Sequence, residues 1–353
     1  MKMYRMVPLL IAGCLSVAVT TVAAASIKTN YTEVDLVSDV VSNAAHLDPR
    51  LINPWGLVTR AGSEWVADNG ASLITAYSSS CSPLGYAINI PGPGGPTTGT
   101  PTGLAYNNTR AFVLTNGQKR AAAILLTPTE DGTITAWNPH ITGSNAVIVI
   151  DNSGASAIYK GIAIAHTTNG LIRLYAANFH AGLVEIYDDH FQPVGTFTDT
   201  NLPAGFAPFN IKNIRGKLFV TFALQDGSAE DDLPGPGNGF VDIFRPDGTL
   251  EQELISQGAL NSPWGIAMAT SMFGRFRNAL LVGNFGDGKI NAYNPANGAF
   301  LGDMTRANGS DMVIDGLWAL EFGSYGRLYF TAGINGETDG LMGYIRVASS
   351  KDP

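Results

Sequence analysis

Asn53-Pro54-Trp55-Gly56-Leu57-Val58 and Ser262-Pro263-Trp264-Gly265-Ile266-Ala267 are two versions of one phrase, a turn running into a short apolar strand. Weaker copies are Thr100-Pro101-Thr102-Gly103-Leu104-Ala105, Tyr159-Lys160-Gly161-Ile162-Ala163, Ala207-Pro208-Phe209-Asn210-Ile211 and Gly316-Leu317-Trp318-Ala319-Leu320. Aligned on the tryptophan column, the copies fall at 55, 102, 160, 209, 264 and 318, at steps of 47, 58, 49, 55 and 54. A second apolar run follows each, at 64–67, 111–114, 173–176, 217–220, 279–282 and 327–330, and a third at 73–77, 134–137, 184–187, 241–244, 290–293 and 342–345. The third runs alternate apolar with small or polar residues, the period of a half-buried strand. Turn residues such as Asn138-Pro139, Pro246-Asp247-Gly248 and Asn294-Pro295 end them.

Six units of about 50 residues with three or four short strands each read as a six-bladed β-propeller, because such a unit cannot bury its own faces and must pack radially on its neighbours. The all-β class agrees with the composition. Only 14% of the 353 residues are charged and 41 are glycine, against roughly 25% and 7% in ordinary soluble domains. Five Trp, twelve Tyr and sixteen Phe in a chain that is 45% apolar exclude disorder, and glycine without a three-residue period excludes collagen. A net charge of −8 provides no footprint for nucleic acid or an anionic membrane. Residues 32–37 supply a strand upstream of the first unit, able to close the ring as the outer strand of the last blade. The 58-residue step leaves room for extra strands and keeps a seven-bladed ring as the alternative.

Residues 1–25 have the form of an export leader: Lys2 and Arg5, then an apolar stretch, then Ala23-Ala24-Ala25 before Ser26. The apolar run is too short and too interrupted for a membrane span. Ile11-Ala12-Gly13-Cys14 has the form of a lipobox, so lipidation at Cys14 is the other processing route. Cleavage after Ala25 leaves Cys81 as the one cysteine, which cannot form an internal disulfide and reads as a loop residue. The expected organisation is therefore a leader over 1–25, a segment with the closing strand over 26–50, a propeller over 51–348 and a tail over 349–353.

The Pro-Trp-Gly-Ile/Leu phrase, Val66-Ala67-Asp68-Asn69-Gly70 and Asn291-Ala292-Tyr293-Asn294-Pro295 resemble NHL-type propeller repeats. The chain from about residue 33 to 347 resembles more closely a family of exported bacterial six-bladed propeller proteins without an established reaction. His46-Leu47-Asp48-Pro49, Asn201-Leu202-Pro203-Ala204-Gly205, Gly237-Asn238-Gly239-Phe240-Val241-Asp242 and Asp315-Gly316-Leu317-Trp318 carry that resemblance. It implies a fold and an exported location. More distant propellers include both enzymes and purely interacting domains, so the fold selects no activity.

Propeller geometry puts the start of each first strand and the end of each second strand on one mouth of the channel. The polar residues expected there include Asn53, Asp68, Asn69, Asn116, Lys160, Asn178, His180, Asn210, Asn261, Asn284, Asp287 and Asp315. Asn69, Asn116, Asn178, Asn284 and Asp287 are the expected ligand contacts. Asn53, Asn210, Asn261 and Asp315, nearest the axis, are the expected oxygen donors for a hard cation such as Ca²⁺. The competing reading of each is a turn cap. His180, and His46 beside Asp48, are the candidate acid/base groups. The five histidines are too dispersed for a zinc motif, and no nucleophile elbow, P-loop or dinucleotide fingerprint occurs. The acidic Gly/Pro-rich loop 226–239 lies on the same mouth, as a solvated loop or a metal-binding lid. The leading expectation is an exported monomer binding a small molecule, or an extracellular polymer or protein, at that mouth, without nucleic acid and without a membrane span. The alternative is a Ca²⁺-dependent secreted hydrolase or lyase, and a third reading is a lipid-anchored interaction module.

Overall fold

A computed structural model of the chain describes Met1, residues 30–80 and residues 82–349. Residues 2–29, which carry the expected leader and Cys14, lie outside the described residues, as does Cys81. The first blade is built from Pro54–Arg60, Ser63–Asp68, Leu73–Ser78 and Pro83–Asn89, hydrogen-bonded in that order from the axis outward. Four more four-stranded blades follow, with inner strands Ala105–Tyr106, Tyr159–His166, Phe206–Ile214 and Pro263–Met268. The last sheet takes Leu317–Phe322, Leu328–Ala332 and Leu341–Val347 from the C-terminal end, then Tyr31–Ser38 from the N-terminal end. Tyr31–Ser38 runs antiparallel to Leu341–Val347 from Tyr31↔Val347 to Ser38↔Leu341, with one bulge between Asp35 and Val37. The ring is thus six-bladed and closed by the upstream strand. No helix among the described residues is long and apolar enough to cross a membrane.

Glycine in the repeat phrase has a direct spatial reason. Inner strands of adjacent blades converge on the axis, and a Cβ on Gly56 would stand 2.5 Å from Thr102 O and 2.7 Å from Leu104 N. On Gly161 it would stand 2.7 Å from Asn210 Cα and 2.9 Å from Ile211 N. Both are main-chain obstacles that cannot rotate away, so these positions admit only hydrogen. Between the blades, buried clusters such as Trp65, Ile74, Ile88, Leu125 and Trp137 fill each wedge.

The second blade departs from the expected strand assignment. The apolar run at 111–114 is not its second strand: Val113–Thr115 pairs with Arg120–Ala122 in a separate hairpin. The blade's second strand is Leu125–Pro128, paired with Ala105–Tyr106 on one side and Thr133–Trp137 on the other. This inserted hairpin accounts for the 58-residue step without a seventh blade. Phe112 is fully buried, in the same cluster as Leu126 and Leu174, which explains why the segment reads as core.

Candidate functional site

The aligned column meets at the axis. Trp55 and Trp318 stack with ring centroids 3.6 Å apart, Phe285 stacks on the other side of Trp318 at 4.0 Å, and Trp264 stands edge-on to Trp318 at 5.7 Å. Phe209, from the same column, lies 6.0 Å from Trp318. Together the rings plug the channel. On one side of the plug a cavity of about 60 Å³ is lined by Leu57, Asn210, Lys212 and Trp264 among others. On the other, at the mouth formed by the starts of the first strands and the turns after the second strands, lies a cavity of about 410 Å³. Asn53, Trp55, Asn69, Glu130, Asp231, Asp232, Phe285, Trp318 and Glu337 line it.

Lys160 is the single charged member of the column. Its side chain is 2% exposed, and its Nζ lies 2.6 Å from Glu130 Oε1, 3.0 Å from Asp231 Oδ1 and 5.1 Å from the Trp55 ring centroid. Burial works against the ammonium, but Glu130 and Asp231 outweigh it and hold its pKa above the ordinary lysine value. A lysine so held is a structural cation, unsuited to attack as a free amine. Glu130 uses its second oxygen to accept from Asn69 Nδ2 at 2.8 Å. Asn53 Nδ2 donates to Glu337 Oε2 at 2.8 Å, while Asn53 Oδ1 accepts from Trp318 Nε1 at 3.3 Å. Burial pushes the pKa values of Glu337 and Asp232 up, and the Lys160 charge opposes this in both. The cavity therefore presents four carboxylates against one ammonium, above an aromatic floor.

Asn53 and Asn69 are the expected residues that reach this cavity. The four expected metal donors are not gathered around it. Asn210 sits beyond the plug with Nδ2 donating to Trp264 O at 2.8 Å, and Asn261 Oδ1 accepts from Gly235 N at 2.7 Å. Asp315 is exposed and accepts from Asn335 N at 3.1 Å. Among the expected ligand contacts, Asn178 donates to Glu185 Oε1 at 2.9 Å and accepts from Ala181 N at 3.1 Å. Asn284 donates to Ala259 O and to Asp287 Oδ1, so these residues brace turns. Asn116 lies at the tip of the inserted hairpin, its Nδ2 3.4 Å from Ile141 O in the loop between third and fourth strands, on the opposite face. His46 belongs to a short fifth strand, His46–Leu47, outside Tyr31–Ser38, which puts it at the rim of the last blade. His180 is half-buried with Nδ1 unpartnered and does not line the cavity.

Glu130, Glu337 and Phe285 are the lining residues that sequence reasoning did not single out. Glu130 occupies the turn after Leu125–Pro128, the second strand of the second blade; Asn116, expected at that position, lies instead in the inserted hairpin. Glu337 sits in a one-turn helix, Ile334–Glu337, whose Asn335, Gly336 and Glu337 all have positive φ. Asp231 and Asp232 come from the acidic loop, which folds over the mouth; an isolated bridge between Gln225 and Asp232 holds its base. Among the described residues, the side chains grouped tightly enough for a shared metal ion are Asp188, Asp189 and His190, at an outer turn of the third blade.

No protein-family model matches the chain. An uncharacterized protein of Acanthamoeba polyphaga mimivirus is 33% identical over 329 residues, covering 90% of this chain and 80% of that protein. A second uncharacterized protein of the same virus is 33% identical over 337 residues, covering 92% and 86%. These sequence relatives are viral and give no support to the bacterial origin that the resemblance implied. Among solved structures, virginiamycin B lyase from Staphylococcus aureus superposes with a TM-score of 0.54 at 11% identity, over 91% of this chain and all of that one. A luciferin-regenerating enzyme gives 0.51 at 9% identity, over 84% and 91%. At such identities the likeness is one of fold.

Proposed function

The chain belongs to the same family as these mimiviral proteins, and we propose that it is a binding protein that takes a small positively charged ligand into the acidic cavity at the channel mouth. One observation carries the reading: four carboxylates converge above the tryptophan plug, while the one lysine among them is already matched by Glu130 and Asp231. A ligand bearing an ammonium group would be drawn in by the uncompensated charge of Asp232 and Glu337 and hydrogen-bonded by their oxygens. Trp55 and Trp318 are almost fully covered, so their faces offer little area for stacking a neutral sugar. Were a reaction to occur here, Asp232 or Glu337 would have to move the proton, since neither His46 nor His180 lines the cavity. Export through residues 1–25 forms part of the proposal.

Tryptophan fluorescence reports on the site, because Trp55 and Trp318 floor it. Titration with butylammonium and with spermidine should change the emission, and Glu337→Gln should weaken that binding at least tenfold. A response to Ca²⁺ alone, lost in Glu337→Gln, would replace the amine with a metal. No response to amine or metal, with Glu337→Gln behaving as wild type, would refute a cation site at this mouth.

A further inference from the structure

The opposite mouth of the channel, where the inner strands end, has the reverse polarity. A cavity of about 440 Å³ opens there, walled by Leu104, Ile162 and Ile164. Tyr106, His166, Lys212 and Glu321 supply polar groups to it, each from the far end of a different inner strand. Lys212 and Glu321 also line the chamber of about 60 Å³ behind the aromatic plug. Their ion pair therefore joins blade four to blade six across the channel and floors the outer cavity. An ammonium has three N–H donors. Lys212 Nζ spends one on Glu321 and one on Leu320 O at 3.0 Å, which leaves one for the cavity. Glu321 is the one acid in the lining, and Lys212 already matches it. His166 is exposed, and its ring makes no hydrogen bond among the described residues.

The surroundings are strongly basic. The segments in which the six inner strands end and the chain turns back, 58–64, 104–111, 164–174, 211–217, 268–279 and 320–328, hold nine Lys and Arg in a chain of net charge −8. They hold two acids, Glu64 and Glu321. Glu64 is fully buried, and burial raises its pKa to about 7 against a hydrogen bond from Thr59, with the Glu321 charge adding to the rise. At neutral pH it is thus only partly charged. Among the described residues, Arg60, Arg110, Arg173 and Arg215 form no ion pair. The Arg60 guanidinium carbon lies 5.5 Å from the Tyr106 ring centroid, and its Nε is buried without an acceptor.

We propose that this second mouth binds a small carboxylate with an apolar body, of the medium-chain fatty acid type. The carboxylate would accept from Lys212 Nζ and the His166 ring, and the chain would lie along Leu104, Ile162 and Ile164. The basic rim draws anions toward the cavity, and the remaining Lys212 N–H gives a charge-assisted hydrogen bond. The size and mixed lining are those of a small-molecule site. An inorganic anion would leave the apolar wall unused, whereas each methylene buried on it adds affinity. A cation finds no unmatched acid in this lining.

The test is calorimetric titration of the full-length chain at pH 7 with decanoate, and with acetate as the ligand lacking a chain. Decanoate should bind, and acetate should bind about a hundredfold more weakly or not at all. Lys212→Met and His166→Glu should each weaken decanoate binding about tenfold or more. Glu337→Gln, at the acidic mouth, should leave it intact. His166 is exposed, so its variant carries the test even if Lys212→Met fails to fold. The proposal is overturned if decanoate does not bind, if it binds His166→Glu as it binds the wild type, or if acetate binds as tightly. Decanoate binding lost in Glu337→Gln would place the ligand at the other mouth and overturn it equally.

Discussion

Replacing Lys160 by methionine isolates the charge at the channel mouth, because methionine fills a similar volume against Trp55 and Phe179 and removes only the ammonium. Breaking a fully buried ion pair from one side costs about 3–5 kcal/mol. Here the partners are not fully buried: the side chains of Glu130 and Asp231 are 26% and 73% exposed. Asp231 can return to water, so its share is that of a surface pair, about 0–1 kcal/mol. Glu130 keeps its bond from Asn69 and loses part of its stabilisation. The expected loss at pH 7 is therefore about 2–3 kcal/mol, or roughly 3–5 °C in Tm for a domain of this size. The pH dependence gives the sharper signature. Glu337 and Asp232 have pKa values raised by burial, and Lys160 opposes that rise. Removing Lys160 lifts both further above their unfolded values. Groups raised in this way favour the folded state below their unfolded pKa, near 4, and lose that contribution as pH climbs through the folded pKa. The Lys160→Met deficit should thus shrink between pH 7 and pH 4.5. Lys160 itself adds no slope there, since its raised pKa keeps it charged throughout. Urea unfolding of both proteins at the two pH values measures this. A deficit under 0.5 kcal/mol at pH 7, or one equal at the two pH values, would refute the electrostatic account of the mouth.

Gly161→Ala should cost about 1–3 kcal/mol or prevent folding, since its Cβ would stand 2.7 Å from Asn210 Cα and the inner strands would have to separate. Gly154→Ala, which meets nothing within 4 Å, should be neutral or stabilising by up to about 1 kcal/mol in the same denaturation assay. For export, mass spectrometry of the chain secreted from a bacterial host should find Ser26 at the N-terminus; a lipidated Cys14 or an unprocessed Met1 would contradict cleavage after Ala25.

The repeat made the scaffold readable and concealed the site. Inner strands must converge, so each blade needs a small residue beside a large one at the axis, and Trp55-Gly56 and Trp264-Gly265 meet that need in plain sight. Closure by Tyr31–Ser38 was legible for a related reason, because a blade short of its outer strand leaves an edge to be covered. The site depends instead on the turns, where no periodicity constrains the residues. Asparagines stood out there because they recur, yet recurrence selects turn caps: Asn178 and Asn284 spend their hydrogen bonds on the turns that hold them. The charged residues that give the cavity its character are those that break the repeat. Lys160 is a cation in a column otherwise made of three tryptophans, a phenylalanine and a threonine, and nothing in blade packing calls for charge at the axis. Glu130, Asp231 and Glu337 come from three turns of different length, hidden by an inserted hairpin, an acidic loop and a one-turn helix. Buried charge is retained against its desolvation cost only where something compensates it. Lys160 compensates two of the four acids, and the remaining two account for the ligand charge proposed here. In a propeller of this kind, the position to examine first is the one where the axial column departs from its own pattern.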